Sequence, residues 1–115
     1  MLSRDHRLTE ASGFASAVRR GRRAGSRTLV AHLEALEDGS PVRIGFVVSK
    51  AVGPAVVRNR VKRRLRHLAR EQLSDVEMRL PGSAVLVIRA LPASAESDYE
   101  ELRADLARCL ERVVS

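Results

Sequence analysis

Cysteine, aromatic side chains and long apolar runs are scarce in this chain, and each scarcity closes off a class of function. Cys109 is the sole cysteine, so neither an internal disulfide nor a cysteine-based zinc site can form. Its neighbours Leu102, Leu106 and Val113 recur at helical spacing, which predicts a buried core thiol and not a nucleophile. His6, His32 and His67 lack the spacing of metal ligands, so no metal site is assigned to the protein. There is no Gly-rich phosphate loop with a following Lys and no Gly-x-Ser-x-Gly elbow. The acids Asp98, Glu100, Glu101 and Asp105 gather at the start of a predicted helix, where they suit its dipole better than paired-carboxylate catalysis. No residue is assigned to bond breaking. No apolar run is long enough to cross a bilayer and no signal-peptide core follows Met1, so a cytoplasmic protein is expected.

Charge of one sign is what the chain has in excess. Its 115 residues, enough for a single domain over 1–115, carry 21 Lys+Arg against 14 Asp+Glu. Residues 1–70 hold 16 Lys+Arg and 5 Asp+Glu, whereas residues 71–115 hold 5 and 9. Nineteen of the 21 cations are Arg, whose planar fork grips phosphate at two points. The densest stretch lies over 56–70 and holds Arg58, Arg60, Lys62, Arg63, Arg64, Arg66 and Arg70. Such a density repels itself unless a polyanion is near. A merely solvated helix face mixes signs, yet no acid stands between Lys50 and Arg70.

The apolar residues of that stretch are placed as a helix requires. Val57, Val61, Leu65 and Leu68 form one buried stripe, and Asn59, Arg63, Arg66 and Arg70 fall on the opposite side. A membrane or calmodulin-binding helix wants bulky aromatic or Leu-rich faces. This stripe is narrow and Val-rich, so it suits packing on a sheet. One side meets a core and the other is offered to nucleic acid.

The remaining elements follow from local pattern. Residues 1–8 read as a basic arm, Thr9 as a helix cap, and Phe14, Ala17 and Val18 as the face of a short helix ending at Gly21. Residues 19–25 read as a basic loop suited to phosphate. A strand is predicted over 28–36, a turn over 37–41 and a second strand over 42–49, together resembling a hairpin. Pro54 fits the first turn of the basic helix. Residues 80–82 make a break, and Ala84-Val85-Leu86-Val87-Ile88 is the continuous apolar run of a doubly covered strand. Ser97 or Asp98 caps a last helix over 99–113, with Leu102, Leu106, Cys109, Leu110 and Val113 inward. The fold class is α+β, a small sheet packed with helices in the order helix, strands, helix, strand, helix.

Arg58-Asn59-Arg60, with Gly53 and Ala55-Val56 before it and Lys62-Arg63-x-Leu65-Arg66 after it, resembles the signature of the bacterial ribonuclease P protein component. Phe46-Val47-Val48-Ser49-Lys50 resembles the strand that feeds the signature helix, and Arg89-x-x-Pro92 resembles the family's exit from its last strand. The resemblance covers essentially the whole chain. It implies a mixed sheet with a left-handed crossover through the basic helix, against the usual right-handed rule. It also implies a non-catalytic subunit that binds a large catalytic RNA and helps it remove the 5′ leader of precursor tRNA. Hydrolysis would then belong to the RNA with Mg²⁺, with one protein per RNA. By the same resemblance Arg58, Arg60, Lys62, Arg63 and Arg66 contact RNA phosphates, Asn59 clamps the loop or RNA, and Lys50 stands at the mouth of that surface. Phe14, Val18, His32 and Arg89 border a cleft for the leader. Val18 and His32 stand where the family often has aromatics, so base stacking should be weaker there. By residue type alone Phe14 reads as core and His32 as a neutral surface strand residue. A ribosomal-type structural RNA-binding protein and a duplex-DNA binder are the competing functions, the latter lacking any turn-helix partner.

Overall fold

The computed structural model describes residues 11–36, 39, 41–79 and 83–114. The basic arm over 1–8, the Thr9 cap, Glu37, Asp38 and Ser40 of the turn, and the break over 80–82 lie outside them. In chain order the elements are α1 (Ala11–Arg20), β1 (Arg22–Gly25), β2 (Leu29–Ala35), β3 (Arg43–Val47), α2 (Ala55–Arg79), β4 (Ala84–Ala90), a 3₁₀ turn (Pro92–Ala95) and α3 (Tyr99–Val114).

The apolar run of β4 decides the sheet. Its residues from Ala84 to Ile88 are buried on both faces, so the strand needs a neighbour on each side. The strand order is accordingly β1-β2-β4-β3, with β2 antiparallel and β3 parallel to β4. The hairpin expected between β2 and β3 is therefore not formed, because β4 takes the place between them. The Leu36 N–H donates to the Ser83 carbonyl at 2.8 Å and extends that β2–β4 pairing. Parallel neighbours need a long crossover, and α2 supplies it between β3 and β4.

Strand alternation sends Leu29, Ala31, Leu33, Leu86 and Ile88 into the larger core with α2 and α3. The opposite face carries Val85 and Val87 beneath Ala17 of α1. The expected basic loop over 19–25 is in fact the last turn of α1 followed by strand β1. Buried Ala24 gives that strand an inner face, and pairing with β2 satisfies its backbone. Gly21 joins the two elements so tightly that a Cβ there would overlap the Ala17 carbonyl and lie 2.8 Å from the Leu33 oxygen.

The basic helix runs to Arg79, up to the break expected over 80–82. Val61, Leu65 and Leu68 are fully buried and Val57 is half-buried, as the stripe predicts. Pro54 stands just before the helix, not in its first turn, with its carbonyl accepting the Arg58 N–H at 3.0 Å. Gly53 holds φ at +153°, and a Cβ there would press on Val57 at 3.2 Å. At the last helix Asp98 is the cap, its Oδ1 accepting the Glu101 N–H at 2.8 Å. Asp105 departs from the helix-dipole role. It is buried, and its Oδ2 accepts from the Thr28 hydroxyl at 2.6 Å and the Thr28 N–H at 3.3 Å. A helix acid thus holds the entry to β2.

Candidate RNA interface

Two flanks of α2 treat their cations differently. Asn59, Arg63, Arg66 and Arg70 are exposed, as the helical spacing predicts, and their side chains have no partner among the described residues. Arg58, Arg60 and Arg64 are half-buried and donate to backbone carbonyls. Arg58 Nε reaches Gly53 O at 3.1 Å, Arg60 Nη2 reaches Ala95 O at 2.8 Å, and Arg64 Nη1 reaches Ser97 O at 3.3 Å. The last two tie α2 to the segment that enters α3. Sequence reasoning placed Arg60 among the phosphate contacts and had no signal for this second task, since its partner is a main-chain oxygen 35 residues away. Lys50 is exposed in the loop before α2.

Lys62 turns to the other side of the helix. It is half-buried and joins Phe14, Ala15, Val18 and Arg19 of α1 and Phe46, Val47 and Val48 of β3 and its exit around an open groove of about 710 Å³. Val18, although apolar, is 39% exposed in this groove. Of the residues expected at the leader cleft, the groove gathers Phe14 and Val18. Arg89 is the register partner of Val47 across the β3–β4 pair, so it stands beside the groove wall. Its Nε is buried without a partner. Phe46, Val47 and Val48 were missed as wall residues because a strand's apolar pattern does not reveal which edge stays uncovered.

His32 is neither a surface residue nor a wall of that groove. It is 2% exposed in β2, opposite Arg23 on one side and Val87 on the other. Both ring nitrogens are buried without a hydrogen-bond partner. Burial, then the charges of Arg89 and Arg23, hold its pKa below the usual histidine value. The imidazole is thus kept neutral. Burial also pushes the Cys109 thiol up, and its Sγ lies 3.9 Å from the Leu29 carbonyl. This is the inert core thiol that the pattern predicts.

No group of three or more His, Cys, Asp or Glu side chains gathers as a metal site among the described residues. Within the same residues no helix is long and apolar enough to cross a membrane. What the surface offers is a row of guanidinium groups joined through Lys62 to an apolar groove. That combination can neutralise phosphates on one side and seat a flexible strand on the other.

Fold and surface together define an α+β domain that sets a basic helix beside an open apolar groove. The structure superposes on the ribonuclease P protein of Staphylococcus aureus with a TM-score of 0.82, at 20% identity, over 96% of this chain and 98% of that one. Against the protein from Thermotoga maritima the TM-score is 0.75 at 22% identity, covering 93% and 96%. In sequence, the family model for Ribonuclease P matches residues 2–114. The ribonuclease P protein component of a Nocardioides species is 60% identical, covering 98% of this chain and 95% of the relative. That of Streptomyces bikiniensis is 48% identical, covering 99% and 96%. The chain belongs to the ribonuclease P protein component family.

Proposed function

We propose that this chain binds its ribonuclease P RNA through the open flank of α2 and guides the 5′ leader of precursor tRNA along the α1–β3 groove. The observation that carries this reading is the position of Lys62, which belongs to the basic helix and also lines the groove. RNA held by the helix and a strand seated in the groove would meet at that ammonium group. Asn59, Arg63 and Arg66 make the direct RNA contacts, with Lys50 at the near end. Arg58 and Arg60 add charge to the same surface while fastening the helix. Arg89 faces the leader from beside the groove, and Phe14 and Val18 give it an apolar floor. His32 acts beneath the sheet surface and does not stack on a base.

The hydrolytic step belongs to the RNA, with Mg²⁺ held mainly by RNA oxygens. The protein's share is electrostatic. Each fixed cation replaces a condensed counterion, so packed RNA helices need less free Mg²⁺ to approach one another. One protein per RNA is sufficient, since both surfaces are on a single domain, and the holoenzyme works in the cytoplasm.

The test is cleavage of precursor tRNA by the cognate ribonuclease P RNA at limiting Mg²⁺, with and without the protein. Strong stimulation that falls when Arg58 and Arg60 are both replaced is expected. No stimulation, alongside tight binding to unrelated structured RNA, would reject this reading in favour of a ribosomal-type role.

A further inference from the structure

A second group of cations lies away from the open flank of α2. Residues 11–33 contain five arginines and no acid. Four of the five, Arg19, Arg20, Arg22 and Arg23, are exposed and without a hydrogen-bond or ion-pair partner among the described residues. The fifth, Arg27, is paired with Glu101 at 2.8 Å. The tight Gly21 junction fixes how the four are presented, two from the last turn of α1 and two from the edge strand β1.

Their position sets them apart from the helix that carries the first surface. β1 and β3 are the opposite edges of the sheet, three strand spacings or roughly 14 Å apart. On the face that bears α2, it is α3 that packs against both α2 and β1. The outer side of α3 mixes Glu100, Glu101 and Glu111 with its arginines, so an uninterrupted cationic path does not cross it.

Two ordinary explanations each cover half of the group. Cations at a helix C-terminus suit its dipole, which accounts for Arg19 and Arg20. Charged residues on an edge strand discourage pairing with another chain, which accounts for Arg22 and Arg23. Neither explains why residues 11–33 carry no acid, when mixed signs would serve the edge equally well and repel less; the adjoining Glu34 is taken up by the Ser16 hydroxyl at 2.8 Å.

We propose that Arg20 of α1 and Arg23, which strand alternation places with His32 on the α1 side of the sheet, form a second phosphate-binding face with Arg19 at the groove margin. It takes a segment of RNA backbone different from the one held by α2. The inference rests on the RNA-binding reading above and extends it to a protein that braces two RNA segments at once. The phosphodiester could come from the ribonuclease P RNA or from the precursor tRNA, and the two are separable by experiment.

Affinity is measured against salt concentration in two arms, the protein with its ribonuclease P RNA and the holoenzyme with precursor tRNA. Arg20→Gln with Arg23→Gln is expected to lower the log–log salt slope by about two units in one arm. Arg63→Gln with Arg66→Gln should lower it by about two units in the first arm. If both faces meet the same RNA, the fourfold variant loses about four. Over 50 to 200 mM salt, two units amount to roughly a tenfold difference in salt sensitivity. An unchanged slope for the Arg20/Arg23 variant in both arms, with the α2 variant reduced, overturns this inference and leaves the dipole and edge-protection roles. Unchanged slopes for both pairs would instead reject the RNA-binding reading itself. In a shared arm, a fourfold variant no worse than either pair would show one face where two are proposed. Should that double variant fail to fold, Arg20→Gln alone gives the same reading with about one unit.

Discussion

Helices α2 and α3 lie side by side on one face of the sheet and bury nearly identical stripes. Val61, Leu65 and Leu68 of the first and Leu102, Leu106, Cys109 and Val113 of the second are all at most 1% exposed. Their outer sides have opposite fates. On α3, Glu101 pairs with Arg27 at 2.8 Å, and Arg103 lies 5.3 Å over the Tyr99 ring and 3.4 Å from Glu71. Those charges are engaged with other parts of the fold. On α2 one flank does the same through Arg60 and Arg64, while Arg63, Arg66 and Arg70 face outward without a partner among the described residues. The same amphipathic rule builds both helices, and the difference lies in whether a carbonyl or carboxylate stands within reach.

The inner stripes should be interchangeable in energy, and cutting either is the most damaging change. Leu65→Ala and Leu106→Ala should each lower stability by about 2–5 kcal/mol in urea unfolding. A much smaller loss for Leu65 would show α2 to be an appended helix and not part of the core. Next in size is Asp105→Ala, which strands the Thr28 hydroxyl and N–H and should cost about 1–3 kcal/mol, with Asp105→Asn recovering part of it. A neutral result would break the claim that α3 anchors the entry to β2.

Exchanging the outward cations tests the other half of the comparison. Arg66→Gln should leave thermal unfolding unchanged while weakening RNA binding, with about one unit less salt slope. Arg60→Gln should do both, lowering stability by about 0.5–1.5 kcal/mol through the lost bond to Ala95. If Arg66→Gln destabilised the protein as much as Arg60→Gln, the division of α2 into a fastened and an open flank would be wrong.

The smallest expected effect concerns the other face of the sheet. His32 has a folded-state pKa below its unfolded value, so the native protein binds fewer protons than the unfolded chain just below pH 6.5. Its contribution is fully present above about pH 6.5 and is lost as pH falls from there toward the lowered value. Denaturant midpoints between pH 7 and pH 5 should show that decline, and His32→Phe should flatten it. A decline of equal size in the variant would assign the effect to other groups.

Much of the candidate site was legible from spacing. The 3.6-residue period around Val57, Val61, Leu65 and Leu68 placed Asn59, Arg63, Arg66 and Arg70 outside, because a helix leaves no other arrangement once its stripe is buried. The run from Ala84 to Ile88 likewise identified a strand covered on both faces. Adjacent strands in sequence were not adjacent in space, since pairing order depends on which strand most needs two neighbours. That need belongs to β4, which lies farther along the chain than the predicted hairpin.

By itself, then, the amino-acid sequence determined the helices, the three longer strands, the core stripes and the one-signed charge that points to RNA, all of which depend on near neighbours along the chain. Tertiary structure alone decided that Arg60 and Arg64 fasten α2 to the turn before α3 and that Lys62 looks into a groove. It also set His32 beneath the surface and turned the basic segment at Gly21 into an edge of the sheet. In each case the deciding contact is with a backbone or side chain distant in sequence, whose position exists only once the sheet has closed.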